Sequence, residues 1–259
     1  MGEAVERLTP HTVTSLLDRT AHRPWPLPAG PWIMAQSWHD LLFAHWAVDA
    51  AMLRPHIPEK LQIDTFDGRA WLGIVPFSMR GVRLRWTPAL PWLSAFPELN
   101  VRTYVTVQGK PGVWFFSLDA ANALAVAAAR LTFHLPYFRA RMKCRETGGW
   151  IEYQSHRTHS GAPEAAFEGR YRGVSDFFQA KPSTLEHFLT ERYCLYSAGK
   201  GRIYRGEIHH PPWLLQNAEA QITKNSIVEA AGLRLPAEPP FLHVARRQDM
   251  VAWAPQRIA

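Results

Sequence analysis

From residue 32 onward, hydrophobic residues mostly alternate with polar ones, the pattern of β-strands that pack one face on a core. In the first half this alternation predicts strands at residues 32–39, 61–66, 70–86, 100–108, 112–119, 137–145 and 150–156. In the second half it predicts strands at residues 165–173, 193–198, 202–210, 214–222, 241–247 and 250–254. Turn pairs such as Asp67-Gly68 and Gly148-Gly149 separate neighbouring strands. Many short strands joined by tight turns predict a large antiparallel or mixed barrel or sandwich.

Helical patterns interrupt the strands at a few places. We predict helices at residues 48–53, 121–132 and 183–191, and a fourth short helix at residues 225–231. Ser183 and Glu186 have the spacing of a capping box, which places a helix start at Ser183. Gly232 would end the fourth helix. The predicted fold class is therefore α+β, predominantly β, with a few packed helices.

The N-terminal 30 residues differ in pattern from the rest. Residues 9–20 are typical of a short helix, with Thr9 as its N-cap and Pro10 at the first helical position. A proline-rich segment at residues 24–31 then breaks the helix. We predict a leader and linker over residues 1–30, followed by a single domain over residues 31–259. The leader would serve as a strap against that domain or as a dimer contact.

Composition narrows the class of protein. The 259 residues are 47% hydrophobic and 12% aromatic, which is ample for a core, and no run of eighteen apolar residues occurs. The N-terminus lacks the apolar core of a signal peptide, so we expect a soluble, cytoplasmic protein that does not use a membrane. The only cysteines, Cys144 and Cys194, are expected to be reduced. A homo-oligomer is possible.

The net charge of +7 raises the possibility of nucleic-acid binding. The densest basic stretches, residues 80–85 and 139–145, alternate arginines with apolar residues. That spacing indicates the solvated faces of strands, and we expect no nucleic-acid partner.

Motifs for metals and cofactors are weak. Glu207 and His209 can share one face of a strand, but His210 points to the other face, so a three-ligand site would need a residue from elsewhere. His156 and His159 lack the helical context of a zinc protease. The sequence contains no G-x-G-x-x-G, Walker or G-x-S-x-G motif. We expect no metal and no cofactor, and His209 stays a candidate ligand-binding residue.

Residues 129–140, which read Ala-Arg-Leu-Thr-Phe-His-Leu-Pro-Tyr-Phe-Arg-Ala, resemble the signature of acetoacetate decarboxylase. Arg130, Pro136 and Ala140 keep the spacing of that signature. In the decarboxylase, the first lysine after the proline forms a Schiff base and the second keeps it unprotonated. Tyr137 and Phe138 occupy these two positions, and a tyrosine cannot form an imine. The resemblance therefore implies the fold without the Schiff-base chemistry.

Three further segments, residues 96–105, 112–120 and 188–193, resemble the YqjF-like family DUF2071, which is related to acetoacetate decarboxylase. The likeness runs from about residue 31 to the C-terminus. It implies a decarboxylase-like β-barrel with its pocket inside, and leaves the reaction open.

The resemblance implies that Tyr137 lines this pocket. Strand alternation would put Arg139, Arg141 and Lys143 on the same face as Tyr137. Either the strand bends at Pro136 so that only Tyr137 enters the cavity, or Tyr137 lies near a barrel mouth. Of the six lysines, Lys143 alone is a candidate for a Schiff base that has moved along the strand.

Arginines and carboxylates supply the other candidate site residues. Arg130 lies seven residues before Tyr137, as the family's arginine lies seven before its lysine, and could hold a substrate carboxylate or cap a helix. Arg102 shares a strand face with two further polar residues, which predicts a pocket wall. Its companions on that face are Asn100 and Tyr104.

Two other places on the chain carry charged candidates. Asp119 could be the N-cap of the helix that follows it or could orient an arginine. Glu191 and Arg192 could close a buried network with Arg130 or Asp119, or act in catalysis.

Three functions follow from these residues. The first is a barrel that binds a small organic acid or ketone, with Arg102 and Arg130 at the anionic end and Tyr137 as a hydrogen-bond donor. The second is an enzyme that uses Tyr137 with Arg130 for non-imine acid-base chemistry on a keto acid; the pKa of Tyr137 would then be lowered. The third is a structural or partner-binding protein with a filled barrel, which would have no cavity.

Overall fold

The computed structural model describes residues 10–90 and 93–259. These residues are mostly in β-strands. The strands are β1 (Met34–Val48), β2 (Gln62–Ile63), β3 (Ala70–Leu84), β4 (Phe96–Val107), β5 (Lys110–Ala120), β6 (Tyr137–Thr147), β7 (Trp150–Arg157), β8 (Ala166–Gly173), β9 (Phe178–Gln179), β10 (Cys194–Gly199), β11 (Arg202–His209), β12 (Leu214–Asn225), β13 (Phe241–Ala252) and β14 (Gln256–Arg257). The helices are α1 (Pro10–Leu17), α2 (Ala50–Leu53), α3 (Ala123–Thr132) and α4 (Leu185–Thr190). Short 3₁₀ turns cover Arg54–His56 and Glu229–Ala231.

Strand pairings close two circuits that share five strands. The smaller circuit runs β4, β5, β10, β11, β13, β1, β3 and back to β4. The larger circuit leaves the smaller one at β5 and returns at β13 through β6, β7, β8 and β12. β5 pairs in parallel with β6 and β10, and the other pairs of both circuits are antiparallel. Both closures make β5 and β13 the junctions of the fold.

Two predicted strand boundaries were wrong because the strands are longer than the alternating pattern. β1 continues from Met34 to Val48, where the sequence predicted an end at residue 39. Most residues between 41 and 48 are buried, so this half of β1 has no alternation to detect. The strand bulges after His39, and Asp40 has a φ of 54°. The two strands predicted at residues 241–247 and 250–254 are one strand, β13.

Helix starts also differ from prediction. The N-cap of α3 is Asn122, whose side chain accepts from the backbone N–H groups of Leu124 and Ala125, so Asp119 is not the cap. The N-cap of α4 is Thr184 rather than Ser183, which has a φ of 67°. β12 extends to Asn225, which leaves only a 3₁₀ turn in place of the fourth predicted helix. The predicted N-cap at Thr9 lies outside the described residues.

The leader packs on the sheet. Val13 and Leu16 of α1 are buried against Trp32, Val251 and Trp253. Both cysteines are free thiols, as predicted. Among the described residues, no helix is both long and apolar enough to cross a membrane.

Candidate functional site

The smaller circuit encloses a cavity of about 580 Å³. Every strand of this circuit contributes to its wall, and α3 covers one end. Most of the lining is apolar, and its aromatic side chains include Trp38, Phe77, Phe96, Phe115 and Trp213. This combination of size and lining is typical of a small-molecule site.

A row of polar side chains on β4 enters this apolar wall. Glu98, Asn100 and Arg102 are spaced two residues apart and all line the cavity. Tyr104, the next residue of the row, does not line it. The Tyr104 hydroxyl donates to the backbone carbonyl of Leu189 on α4, 2.7 Å away, and lies 2.7 Å from His45 Nε2. Of the predicted wall, Asn100 and Arg102 therefore line the cavity and Tyr104 does not.

Tyr137 lines the cavity near β4 and is hydrogen bonded to Glu98. Its hydroxyl donates to Glu98 Oε2 at 2.7 Å, and both groups are buried. Burial raises the pKa of Glu98 to about 8, against the lowering effect of its hydrogen bonds from Tyr137 and Asn100. Burial, and then the neighbouring Glu98, raise the pKa of Tyr137 well above its ordinary value. Glu98 therefore keeps its proton at neutral pH.

The sequence analysis missed Glu98 as a candidate. Its signal was present, because Glu98 precedes Asn100 by two residues on the same strand face. The predicted strand began at Asn100, whereas β4 begins at Phe96, so the row was cut short.

β6 changes its partner directly after the cavity, which explains how Tyr137 alone enters it. Residues 137–139 pair in parallel with β5, and from Ala140 the strand pairs with β7. Arg139, Arg141 and Lys143 are exposed. Of the two alternatives from sequence, the one in which the strand bends so that only Tyr137 enters the cavity fits this geometry.

Arg130 is not in the cavity, contrary to the expectation that it holds a ligand there. Its guanidinium donates to the Tyr137 backbone carbonyl at 2.6 Å, and the residue is exposed on the outside of α3. Ala125, Ala128 and Ala129 form the cavity side of α3 instead. Because Arg130 lies on the other helical face, its structural role is to tie α3 to the start of β6.

Asp119 lies outside the cavity in a buried ion pair with Arg157. The shortest distance, between Asp119 Oδ1 and Arg157 Nη2, is 2.8 Å, and both side chains are almost fully buried. Burial raises the pKa of Asp119 to about 6, although Arg157 lowers it. The alternative in which Asp119 orients an arginine fits this contact, and Arg157 was not a sequence candidate.

Glu191 and Arg192 have partners other than the predicted ones. Arg192 lines the cavity, and its Nη1 donates to Asp64 Oδ2 at 2.6 Å. Glu191 accepts from the Trp213 backbone N–H at 2.9 Å and from the Tyr193 hydroxyl. The expected network with Arg130 or Asp119 does not form.

His209 anchors the leader and does not line the cavity, which corrects its assignment as a ligand-binding residue. Its Nε2 lies 2.9 Å from the Leu16 carbonyl oxygen and its ring stacks on His22 with centroids 5.5 Å apart. Burial lowers the pKa of His209 to about 4. Glu207 accepts from Trp25 Nε1 at 2.7 Å and from Lys110 Nζ at 2.9 Å. No cluster of three or more metal-ligating side chains occurs among the residues that the structure describes.

Several cavity-lining side chains carry buried polar atoms without a hydrogen-bond partner. They are Trp38 Nε1, Trp213 Nε1, Arg102 Nε, Arg192 Nη2 and Asn100 Oδ1. Four of these atoms are donors and one is an acceptor. Among these unpartnered atoms, N–H donors therefore outnumber oxygen acceptors.

The six lysines all lie in the described part of the chain, and none of them lines the cavity. Lys143 is exposed on β6, so it is not positioned for the Schiff base considered above. Lys110 is bound to Glu207.

Comparisons with known proteins show one relative by sequence and several solved structures of similar architecture. The protein "Uncharacterized protein YqjF" of Bacillus subtilis (strain 168) is 48% identical over 238 residues, which are 92% of this chain and 98% of that protein. The enduracididine biosynthesis enzyme MppR, solved with pyruvate, superposes with a TM-score of 0.62 at 10% identity and covers 91% of this chain and 93% of its own. Acetoacetate decarboxylase from Legionella pneumophila has a TM-score of 0.60 at 10% identity, over 100% of this chain and 98% of its own.

At such identities the two solved structures establish a common fold, which is mostly β and acetoacetate decarboxylase-like. The family assignment comes from sequence. The DUF2071 family, described as "Uncharacterized conserved protein (COG2071)", matches residues 35–249. This span covers most of the chain and all the strands that bound the cavity, and the chain belongs to the DUF2071 family.

Proposed function

We propose that this protein binds a small organic acid or ketone inside the smaller strand circuit, which forms a decarboxylase-like barrel. The observation that carries the proposal is Arg102, a cavity-lining guanidinium that has no carboxylate partner among the described residues, together with unpartnered N–H groups on other cavity-lining side chains. A buried N–H group without an acceptor costs roughly 1–3 kcal/mol. A carboxylate or carbonyl supplies oxygen acceptors and no N–H donors, so it matches the donors that this wall leaves without partners.

Arg102 is the residue that would hold the anionic end. Its own contacts include a 3.4 Å hydrogen bond from Nη2 to the Leu189 carbonyl, a hydrogen bond with the Tyr104 hydroxyl and the faces of Phe43 and Tyr104. No described carboxylate forms an ion pair with Arg102, whereas Arg192 beside the same cavity is paired with Asp64. A guanidinium on a cavity wall without a protein counter-ion favours an anionic ligand.

The protonated Glu98, whose carboxyl the Tyr137 hydroxyl holds in place, would bind a carbonyl or hydroxyl oxygen of the ligand. The neutral carboxyl of Glu98 can donate a hydrogen bond, and Asn100 Oδ1 can accept one from a ligand hydroxyl. MppR, with the same fold, is seen with pyruvate, which is consistent with a keto acid in this position. Imine chemistry is not part of the proposal because no lysine lines the cavity.

The pKa of Tyr137 is raised, whereas catalysis by this tyrosine would need a lowered pKa. This direction favours a binding protein over an enzyme that uses Tyr137 as its acid or base. The filled-barrel alternative is disfavoured by the 580 Å³ cavity. Glu98 supports a second candidate function, because a carboxyl with a pKa of about 8 can give a proton to a ligand carbonyl during enolisation or hydration. Incubation of a bound keto acid in deuterated water, followed by NMR of its α-hydrogens, would detect that activity.

The test is a thermal-shift screen with pyruvate, longer keto acids, hydroxy acids and matched ketones, followed by calorimetry on each hit. We expect acids to bind, and Arg102→Gln to weaken their binding roughly 10- to 100-fold through the lost charged hydrogen bonds. Tyr171→Phe is the matched control for Tyr137→Phe, because it removes a buried tyrosine hydroxyl that does not line the cavity. Tyr137→Phe should weaken keto acids and hydroxy acids, and Tyr171→Phe should change neither. If no acid or ketone binds, or if Arg102→Gln binds as tightly as the native protein, the proposal is wrong.

A further inference from the structure

We propose that the ligand is a medium- to long-chain acid, whose carboxylate lies at the Arg102 end of the cavity and whose hydrocarbon chain runs toward α3. This inference rests on the proposed function and specifies its ligand class. It follows from the order of polar and apolar residues along the cavity and from the residues at its opening.

The register of β3 with β4 gives the order along the cavity. Phe96 pairs with Met79 at the α3 end, where the backbone N–H of Ala121 donates to the carbonyl of Pro97. Arg102 pairs with Gly73 at the other end, beside α4. Strand residues rise about 3.4 Å each, so Phe96 and Arg102 are roughly 20 Å apart. The charged residue and the apolar residue therefore mark opposite ends of an elongated cavity.

The wall between these ends is mainly apolar on the strands that flank β4. Val75, Phe77 and Met79 of β3 line the cavity along this length. Phe115 and Leu118 line it from β5. A ligand that only filled the Arg102 end would leave these side chains facing water, whereas a hydrocarbon chain would cover them.

The α3 end is mainly apolar as far as the surface, although Arg83, Thr87, Asn122 and Thr132 also line it. Leu84, Leu90 and Leu124 line the cavity and are also 58%, 41% and 66% exposed. The cavity side of α3 is made of small residues, including Ala125 and Ala129, which leave room beneath the helix. Exposed leucines at an opening favour the entry of an apolar group, since a contiguous apolar patch is otherwise costly on a protein surface.

The volume agrees with this class. At about 580 Å³ the cavity lies within the range of sites that bury drug-sized molecules, roughly 300–1,000 Å³. A three-carbon acid would occupy a small part of it.

The experiment measures Kd by calorimetry for straight-chain carboxylates from four to twelve carbons, each below its micelle concentration. Burial of each methylene is worth about 0.8 kcal/mol, so we expect Kd to fall about fourfold per added carbon until the chain reaches the opening. Octan-1-ol should bind more weakly than octanoate, and Arg102→Gln should weaken all chain lengths by a similar factor.

Two variants of α3 locate the chain. Ala129→Phe fills the cavity side of the helix, and Ala127→Phe, the matched control, adds the same ring on the outer face. We expect Ala129→Phe to abolish the gain from long chains while butanoate binding is kept, and Ala127→Phe to bind as the native protein does. Circular dichroism checks that both variants are folded.

The outcomes separate this inference from the proposed function. If short keto acids bind and affinity does not rise with chain length, the ligand class is wrong and the proposed function stands. Equal behaviour of Ala129→Phe and Ala127→Phe would also overturn it. If no acid of any length binds, both proposals fail.

Discussion

The two strand circuits use the same kinds of residues and differ in what fills them. The region beneath β7 and β8 is packed by Tyr153, Phe167 and Tyr171, each less than 2% exposed. Its tyrosines are satisfied, because Tyr153 donates to the Glu98 carbonyl and Tyr171 to the Asp40 carbonyl, both at 2.6 Å. The smaller circuit is also rich in aromatic residues but encloses a cavity.

Unpartnered polar atoms occur in both regions but differ in kind. Ser155 Oγ has no partner in the packed region, and it is a neutral hydroxyl that does not line the cavity. Around the cavity the unpartnered atoms include two guanidinium nitrogens, of Arg102 and Arg192. Buried charge is the costlier of the two to leave unpaired. Arg157 in the packed region is paired with Asp119, and Arg192 beside the cavity is paired with Asp64, whereas Arg102 has no carboxylate partner among the described residues. The comparison teaches that the cavity wall differs from the packed region by this one guanidinium without a counter-ion.

The two regions should differ most in how much free energy of unfolding is lost when an aromatic ring is removed. Phe167→Ala should lower the free energy of unfolding by roughly 3–5 kcal/mol, because the ring is fully buried among other side chains. Phe115→Ala should cost roughly half as much, since part of its ring borders the cavity and makes fewer contacts. Urea unfolding of both variants measures this difference. Equal losses would mean that the two regions are packed alike.

A smaller effect is expected from the pH dependence of Glu98. Its pKa is raised to about 8 in the folded protein, so between about pH 4.5 and 8 the folded state holds a proton that the unfolded chain has released. Stability from this group is therefore greatest below pH 4.5 and falls as pH rises through 8. Glu98→Gln removes this loss, and its stability relative to the native protein should rise by on the order of 4 kcal/mol between pH 5 and pH 9.

Thermal unfolding from pH 5 to 9 measures this effect, with Glu152→Gln, at a partly exposed glutamate, as control. Asp119, with a pKa raised to about 6, adds its own pH dependence, but it is present in all three proteins and cancels in the differences. A difference between Glu98→Gln and the native protein that does not change with pH would contradict the raised pKa.

The smallest difference concerns two tyrosine hydroxyls. Tyr153→Phe should cost roughly 1–3 kcal/mol, because two backbone carbonyls, of Phe77 and Glu98, lose their donor. Tyr137→Phe should cost about half of that at pH 6, since the protonated Glu98 can form a hydrogen bond with Asn100. Chemical denaturation of the pair at one pH measures both values. A larger loss for Tyr137→Phe would assign it a structural role.

Short-range sequence patterns predicted much of the fold. Alternation located most strands of both circuits, and residues 96–105, 112–120 and 188–193 identified the family to which the comparisons assign the chain. The motif around Pro136 indicated the decarboxylase-like fold. The same motif pointed to Tyr137, and the row on β4 pointed to Asn100 and Arg102, all three of which line the cavity. Each of these inferences depends on residues close together in the chain.

The expectations that the structure does not support concern residues whose position depends on packing or on contacts far along the chain. Arg130 was assigned to the ligand because its spacing from Tyr137 is short, but the face of α3 on which it lies depends on how the helix packs. His209 was assigned from its neighbours Glu207 and His210, and its partner is Leu16 of the leader. A contact between two residues that are nearly two hundred positions apart in the chain cannot be predicted from local spacing.

The sequence by itself determined the family, the predominance of β-structure and the missing lysine, because these are properties of residue type and short-range period. Only the tertiary structure decided which polar groups meet. Strand closure brought Glu98 to Tyr137 and Arg157 to Asp119, and it left Arg102 on a cavity wall without a carboxylate. Pairings of this kind depend on strand register and on burial, which raises the pKa of Glu98, and neither is encoded in the spacing of single residues.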